Sequence, residues 1–313
     1  MDLPLFLRTH ILQLTAVVGL VTYGLARNKF TPIGVLAGIL VSGIHMLHPW
    51  SAFFWLLFIF VALGVAVTKV GHAAKAHITQ SSSGGAGGEG ARTSVQVLAN
   101  SGWACVLILA HMWLLGSTPF ISSHAGLGLS PGPYAPVLEG LLPVGIIAQY
   151  AAVAADTFSS ELGILAKSWP VLVTAPWKRV PRGTNGGITV EGLGYGLLGG
   201  ILLTVTAGLT LWGLPPYSVM EGRTAVLLAL SGLVGSVIDS VLGATVQATI
   251  TDKHTGKVVE GAGGTRVKYV EGGSRAQTGI DLLTNNGVNF AMAAITSLLA
   301  MAVAWATDLK LVR

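Results

Sequence analysis

The sequence predicts an all-α bundle of about eight helices that cross a membrane, with a small β element in one loop. Hydrophobic residues make up 52% of the 313 residues and charged residues only 10%, whereas charged residues are about a quarter of a typical water-soluble domain. Apolar runs of roughly membrane-spanning length recur along the chain. We therefore expect residues 1–313 to form a single integral membrane domain.

Eight apolar runs define the expected helices. No small-residue cleavage signal follows the first run, so we interpret it as a helix and not as a removable signal peptide. The chain has 42 glycines, and glycine favours close approach of helices in a membrane. The expected helices are Leu5–Ala26, Pro32–Met46, Ala52–Thr68, Val95–Leu115, Pro136–Ala155, Ile188–Leu214, Thr224–Val246 and Val288–Thr307.

Basic residues predict the orientation of the bundle, because cytosolic loops carry an excess of lysine and arginine. Fourteen of the eighteen lysines and arginines fall in the first, third, fifth and seventh loops. We therefore expect these loops in the cytosol and both termini on the opposite side. The fourteen are Arg27, Lys29, Lys69, Lys75, Arg92, Lys167, Lys178, Arg179, Arg182, Lys253, Lys257, Arg266, Lys268 and Arg275.

The formal net charge of the chain is +5. Because this charge is small and comes from loops, it argues against nucleic acid as a partner. A membrane surface or an anionic substrate is favoured instead.

The third loop begins after Lys69 and contains a serine- and glycine-rich segment, residues 81–90, that is typical of a flexible insert. Arg92, Gln96 and Asn100 follow it at the spacing i, i+4, i+8, which places polar groups on one face of a helix. Snorkelling and capping at the membrane interface are an alternative explanation for this polar face.

A polar segment that contains Asp156, Ser160 and Glu161 follows the fifth apolar run. Asp156 and Glu161 would lie about 140° apart on a regular helix, so either the helix ends here or the two carboxylates have different functions. Carboxylates suit Mg²⁺, and Asp239 offers a third one, about 10 Å inside the seventh run. A capped helix end in interfacial water is the alternative explanation for the polar segment.

A glycine-rich turn with Gly183, Thr184, Gly186 and Gly187 opens the sixth expected helix. Glycines let the backbone approach a phosphate closely, and a helix N-terminus offers free amides. The turn is therefore a candidate phosphate-binding site, although the chain has no P-loop or Rossmann motif in a suitable context. A plain connection between two helices is the alternative.

The seventh loop, residues 247–286, has short runs and turns that are typical of strands. We expect a small β element there on the cytosolic side. Asp281, Asn285 and Asn286 end this loop. We expect the asparagines to cap the eighth helix and to direct their amides toward the cytosolic mouth of the bundle.

Together these motifs resemble the transmembrane protein 19 family of integral membrane proteins, which includes plant phytyl-phosphate kinase. The similarity covers most of the chain in order, and a more distant similarity reaches the CTP-dependent polyprenol kinases. The matching residues are Arg92, Gln96, Val97 and Asn100; Asp156, Thr157, Ser160, Glu161 and Gly163; Val180, Pro181, Gly183, Thr184 and Gly186; Gly235, Ser236, Asp239, Ser240, Leu242, Gly243 and Ala244; and Asp281, Asn285, Asn286 and Asn289.

The resemblance implies a kinase that transfers a phosphoryl group from CTP to an isoprenyl monophosphate, in an endomembrane or an organelle envelope. An anionic acceptor needs no general base, so the residues have to position the reactants and neutralise charge. The candidate residues are Asp156, Glu161 and Asp239 for Mg²⁺; Ser160, Gly183, Thr184, Gly186 and Gly187 for the nucleotide; and Lys69, Arg92, Asn100, Lys167, Arg182, Asp281, Asn285 and Asn286 for charge neutralisation and positioning.

Two alternatives remain open from the sequence. If the acceptor is an isoprenoid alcohol, one carboxylate must act as a general base. If the protein is a non-enzymatic lipid transporter, polar residues should continue across the membrane. The halves of the expected helices that face away from the cytosol carry few polar residues, which disfavours a continuous polar pathway.

Cysteine labelling tests the predicted orientation. A cysteine at position 82, in the insert, should react with a membrane-impermeant reagent from the cytosol only, and one at position 313 from the opposite side only, because the basic residues are unequally distributed. A variant that lacks Cys105, the single native cysteine, provides the background for both. The reverse labelling pattern would contradict the orientation.

Overall fold

The fold is known from a computed structural model, which describes residues 3–75, 77–82, 90–116, 132–212, 220–309 and 311. Most of the insert expected at residues 81–90 lies outside the described residues. The helices within the described ranges are α1 (Leu3–Thr9), α2 (Ile11–Ala26), α3 (Pro32–Leu47), α4 (Ala52–Lys69), α5 (His72–Lys75), α6 (Ser94–Leu114), α7 (Ala135–Gly163), α8 (Val190–Leu211), α9 (Gly222–Val246) and α10 (Asn285–Ala306).

Six helices in the described part of the chain are long and apolar enough to cross a membrane: α4, α6, α7, α8, α9 and α10. Helices α2 and α3 are also apolar, but each has 16 residues, fewer than the roughly 20 that a spanning helix needs. The all-α membrane bundle is therefore confirmed, whereas the expected number of eight spans is not. The first expected helix consists of two helices, α1 and α2, which are separated at His10.

Helix α7 lies at the centre of the bundle. Residues Leu142 to Ala155 are all buried, and the helix packs against α4, α6, α8, α9 and α10. The prediction that this helix ends at Ala155 was wrong, because α7 continues to Gly163 and is about 43 Å long at 1.5 Å per residue. The segment from Asp156 to Glu161 contains no glycine or proline that would end the helix. Its polar side chains line a cavity, so they do not need the helix to stop before them.

Glycines bring α8 and α9 into direct backbone contact. A Cβ atom placed on Gly200 of α8 would lie 2.7 Å from the carbonyl oxygen of Ala229 and 3.0 Å from the Cα of Gly232, both on α9. These distances leave no room for a side chain, which is typical of closely packed helix pairs in membranes.

A second close contact sets the register between α7 and α9. A Cβ atom on Gly235 of α9 would lie 2.5 Å from the Cβ of Ala152 on α7. Each helix carries an aspartate four residues later, Asp239 and Asp156, and residues four apart lie above one another on a helix face. The small residues therefore place the two aspartates at the same level.

Three small sheets lie in the loops between helices. Strands β2 (Val171–Leu172), β3 (Ala175–Arg179) and β4 (Gly187–Ile188) form one antiparallel sheet, β1 (Gln80–Ser81) pairs in parallel with β6 (Val259–Glu260), and β5 (Thr249–Asp252) pairs antiparallel with β7 (Arg275–Thr278). Strands are therefore present in the loop at residues 247–286. Their position on the cytosolic side of the membrane stays a prediction.

Gly200→Ala tests the close packing of α8 on α9. We expect a loss of about 1–3 kcal/mol in the free energy of unfolding, because the added methyl group overlaps the α9 backbone. Gly208→Ala is the matched control on the same helix: no atom lies within 4 Å of its added Cβ, and alanine favours the helix by up to about 1 kcal/mol. Thermal unfolding in detergent measures both variants, and equal Tm values would contradict the packing.

Candidate functional site

A polar cavity of about 420 Å³ lies where the ends of α4, α6, α7, α9 and α10 meet the loops that carry the strands. This volume falls in the range of small-molecule sites, roughly 300–1,000 Å³. Fifteen of the sixteen candidate residues line it. They are Lys69, Arg92, Asn100, Asp156, Ser160, Glu161, Arg182, Gly183, Thr184, Gly186, Gly187, Asp239, Asp281, Asn285 and Asn286.

Lys167 is the candidate that the structure places elsewhere. Its side chain is exposed and is not part of the cavity wall. Its backbone carbonyl accepts a hydrogen bond of 3.4 Å from Arg182. The residue therefore belongs to the loop after α7 and contributes no charge to the cavity.

Two aspartates face each other in the cavity. The carboxyl groups of Asp156 on α7 and Asp239 on α9 interact with each other, and both line the cavity. Among the described residues, Oδ1 of Asp239 and the hydroxyl of Ser236, one turn earlier on α9, are buried without a hydrogen-bond partner. Two carboxylates in contact repel each other unless a proton or a cation lies between them. This part of the cavity therefore has the donor atoms that a small, hard cation requires.

Glu161 points in another direction. Its carboxylate forms an ion pair of 2.5 Å with Lys75 of α5 and accepts a 3.5 Å hydrogen bond from Thr68 of α4. The described part of the chain contains no group of three histidine, cysteine or acidic side chains that could hold one metal ion, so the structure does not bring Glu161 together with Asp156 and Asp239. Helix α7 remains regular, and the angle of about 140° sends its two carboxylates to different neighbours.

The glycine-rich turn lines the cavity but does not open a helix. Helix α8 begins at Val190, and Thr189 is its N-cap. The backbone amides of Thr184 and Gly187 donate to carbonyl oxygens, and that of Asn185 donates to the Thr249 hydroxyl at 3.1 Å. The prediction that this turn lies at a helix N-terminus was wrong, and three of its amides are already hydrogen-bonded within the protein. Phosphate binding by the turn stays a prediction.

Gly186 joins this turn to α9. Its φ is +77°, in the left-handed region that favours glycine. A Cβ atom there would lie 2.6 Å from the carbonyl oxygen of Ser240 and 2.4 Å from the Cβ of Ala244. The glycine is needed because the turn packs directly on α9, within about two turns of Asp239.

The cationic side chains of the cavity wall have different surroundings. Arg182 donates to the carbonyl oxygen of Ile164 at 3.0 Å, and so stabilises the C-terminal end of α7. Lys69 lies 5.1 Å from the centre of the Tyr23 ring. Neither Lys69 nor Arg92 forms an ion pair with any described residue. Lys69 and Arg92, together with Lys29, therefore line the cavity without an ion-pair partner among the described residues and remain available to an anionic ligand.

The asparagines at the start of α10 do not cap it. Thr284 is the N-cap, and its hydroxyl accepts the amide of Gly287 at 3.2 Å. The prediction that Asn285 and Asn286 have this role was wrong, because the residue before them already provides the acceptor. Asn286 instead donates to the carbonyl oxygen of Gly263 at 2.9 Å.

Other polar groups at the mouth of the cavity are paired. The side-chain amide of Asn289 donates to Oδ1 of Asn100 at 3.3 Å, which joins α10 to α6. Asp281 forms an ion pair of 3.1 Å with Arg266. The first contact joins two helices, and the second stabilises the loop at residues 247–286 internally.

Lys75 is a cavity residue that the sequence motifs did not indicate. It was predicted only as one of the basic loop residues, yet it is buried and contacts Glu161, which lies 86 positions later in the chain. Its ammonium group also donates to the carbonyl oxygen of Val67 at 3.2 Å. No local pattern could have shown this, because the contact joins two distant segments.

Comparison with known proteins identifies the family. The family described as integral membrane protein DUF92 matches residues 15–297. The chain belongs to the DUF92 family. This result confirms the resemblance to the transmembrane protein 19 family. All fifteen candidate residues of the cavity wall lie inside the range that matches DUF92.

Relatives of this DUF92 protein occur in plants and archaea. Protein PGR of Arabidopsis thaliana is 37% identical over 281 residues, which cover 87% of this chain and 88% of that protein. Protein VTE6, chloroplastic, of the same plant is 26% identical over 216 residues, or 68% of this chain and 55% of VTE6. A membrane protein of Methanocaldococcus jannaschii is 34% identical over 124 residues, or 39% and 48% of the two chains. No solved structure matches the chain significantly.

Removal of Lys75 tests the buried ion pair. We expect Lys75→Met to lower the free energy of unfolding by about 3–5 kcal/mol, because Glu161 loses its partner in a mostly buried position. Adding a second change, Glu161→Met, should restore most of this loss. The matched control is Arg223→Met in the pair of Arg223 with Glu221, whose arginine is 72% exposed. That variant should change stability by less than about 1 kcal/mol.

Chemical denaturation in detergent measures the four proteins of this cycle and the control. If the effects of the two single changes simply add in the double variant, Lys75 and Glu161 do not interact.

Proposed function

We propose that this DUF92 protein is a kinase that transfers a phosphoryl group from CTP to an isoprenyl monophosphate and forms the diphosphate. The observation that carries the proposal is the contact of Asp156 with Asp239 inside a polar cavity that is also lined by Lys69 and Arg92. Phosphoryl transfer depends on positioning and on neutralising phosphate charge, and a pair of carboxylates beside unpaired cations is suited to both tasks.

The aspartate pair fits Mg²⁺. This ion takes one or two carboxylates and leaves its other positions to water and phosphate oxygens. Asp156 and Asp239 would hold it, and the hydroxyls of Ser236 and Ser240 line the same part of the cavity. When bound, Mg²⁺ would neutralise part of the phosphate charge. Glu161 is not included in this ligand set, because Lys75 holds its carboxylate.

The other residues of the wall have two kinds of proposed role. Lys69 and Arg92 bind phosphate oxygens and stabilise the charge that develops on them. Arg182 and Lys75 act by positioning: Arg182 holds the end of α7, where Ser160 lines the cavity, and Lys75 holds Glu161. The glycine-rich turn contributes through its fixed contact with α9.

A phosphate acceptor fits the cavity better than an alcohol. An ionised phosphate oxygen is already a nucleophile, whereas an alcohol needs a general base. Asp156 and Asp239 are the proposed ligands of Mg²⁺, and Glu161 pairs with Lys75. These three carboxylates are thus engaged, which supports the monophosphate as the acceptor.

The centre of the bundle supports an enzyme over a transporter. The α7 residues that follow the cavity toward the other end of the bundle, among them Val144, Ala148 and Ala151, have no exposed surface. A transport pathway would need polar or water-filled space at this level. These α7 positions are fully packed and leave no open passage beside them, which supports an enzyme over a transporter.

The family supports an isoprenoid substrate. The chain belongs to DUF92 and resembles a family that includes plant phytyl-phosphate kinase, and its relative VTE6 is named as a chloroplastic protein. We propose an endomembrane or an organelle envelope as the location, with the cavity facing the cytosol.

A direct assay tests the proposed reaction. Purified protein is incubated with labelled CTP, Mg²⁺ and a set of isoprenyl monophosphates and the matching alcohols. We expect label in the diphosphate and none in a product of the alcohol. A labelled product from the alcohol would show that the acceptor is an alcohol and not a monophosphate. If no acceptor gives a product with CTP, ATP, GTP or UTP, the kinase proposal is overturned.

Asp156→Asn and Asp239→Asn test the metal ligands. Each change should lower Mg²⁺-dependent turnover by roughly 100-fold, because the amide keeps the shape of the side chain and loses the charge that binds the ion. In Mg²⁺-free buffer the Tm should stay the same or rise, since the repulsion between the carboxylates is relieved. Glu221→Gln, next to the opposite end of α9, should leave turnover unchanged. Near wild-type turnover in either aspartate variant would contradict the assignment.

A further inference from the structure

An apolar groove lies between α2, α3, α4 and α6, beside the polar cavity. Aliphatic and aromatic side chains from all four helices form its wall, for example Val21 of α2, Val35 of α3, Phe58 of α4 and Val97 of α6. Along α3 the groove extends from Gly34 to Ser42, a rise of about 12 Å at 1.5 Å per residue. Its volume is about 70 Å³, so with its apolar lining it can hold a stretch of a hydrocarbon chain but not a whole isoprenoid.

The groove and the cavity share part of their walls. Arg92, Gln96 and Asn100 line both spaces. The Arg92 guanidinium lies against α4, since a Cβ atom on Gly64 would be 3.2 Å from its Nη2. It forms no ion pair with the described residues. A free cation therefore lies where the apolar groove meets the polar cavity.

The backbone of Arg92 is held by the same helices that form the groove. Its amide donates to the carbonyl oxygen of Lys29 at 2.8 Å, and its carbonyl oxygen accepts from the amide of Thr31 at 3.0 Å. Lys29 follows α2 and Thr31 is the N-cap of α3. The fold thus fixes Arg92 at the mouth of the groove before any ligand arrives.

We propose that this groove binds the part of the isoprenoid chain next to the phosphate of the lipid substrate, with that phosphate beside Arg92. This inference rests on the proposed function and names the part of the protein that selects the lipid. A phosphate requires a cation and a polar cavity, and an isoprenoid chain requires apolar walls. The described structure places these two requirements next to each other at Arg92, Gln96 and Asn100.

The surroundings of the groove favour entry from the bilayer. Helices α2 and α3 form its outer side, and their outward faces are apolar and exposed, with Leu36 and Leu40 at 66% and 63%. In a membrane these faces contact lipid. A lipid substrate would therefore reach the groove without passing through water.

Gly38 is the position at which the groove can be filled without disturbing the helix packing. It lines the groove on α3, and no atom lies within 4 Å of an added Cβ. Gly43, on the same helix, also has no atom within 4 Å of an added Cβ but is not part of the groove wall. The two positions lie about 140° apart around α3, so Gly43→Leu is a matched control for Gly38→Leu.

Photocrosslinking tests the groove independently of catalysis. The probe is a phytyl-length monophosphate with a diazirine in its chain, added to protein in lipid nanodiscs without CTP. We expect crosslinks on α3 and α4 peptides that unlabelled isoprenyl monophosphate competes away. Gly38→Leu should lower competed crosslinking at least about tenfold, because the added side chain occupies the space of several chain carbons. Gly43→Leu should leave it unchanged, and the Tm of both variants confirms that they fold.

The outcomes separate this inference from the proposed function. Competed crosslinks on other helices only, or equal labelling of the two leucine variants, would overturn the groove assignment. Competed crosslinks in the groove together with no turnover of CTP would support the lipid site and count against the kinase. Arg92→Gln provides a further check: it should weaken competition by the monophosphate and not by the alcohol of equal chain length, and equal weakening of both would remove Arg92 from the phosphate site.

Discussion

The contact between Gly235 of α9 and Ala152 of α7 determines the geometry on which the cavity depends. It brings two helices so close that neither position can hold a larger side chain. One helical turn further along, the same two helices carry Asp239 and Asp156, which consequently face each other. In a bilayer there is no hydrophobic force between helices, so close packing of small residues both stabilises the bundle and sets its register. The acidic pair is a direct result of that packing.

Polar groups near a membrane interior are costly unless they are satisfied, and most groups around this cavity are. Glu161 has Lys75, Arg182 has backbone carbonyl groups, and Asn289 binds across to α6. The exceptions among the described residues include Oδ1 of Asp239 and the hydroxyl of Ser236, which are buried without a hydrogen-bond partner, and Lys69 and Arg92, which form no ion pair. Unsatisfied groups of this kind concentrate at functional sites, and here they lie where the metal and the lipid phosphate are proposed to bind.

An enzyme that phosphorylates a membrane lipid must bring a water-soluble nucleotide to an acceptor that stays in the bilayer. The described structure has a polar cavity at the helix ends and an apolar groove along α3, and the two spaces meet at the start of α6. Helices α2 and α3, which form the outer side of the groove, are the two apolar helices below spanning length. The two proposed functions therefore correspond to two parts of the bundle. The long helices α7 and α9 carry the aspartates, and the shorter helices α2 and α3 border the lipid.

The sequence by itself determined the membrane bundle, because composition and the length of apolar runs are local properties that a bilayer selects directly. Polar residues interrupting such runs also identified most of the cavity wall, since a bilayer tolerates them only at such places. Only the tertiary structure decided that α7 continues through Asp156 to Gly163, that Lys75 holds Glu161, and that three amides of the turn before α8 are already used. These features depend on contacts between segments that are far apart in the chain, and local periodicity carries no information about such contacts.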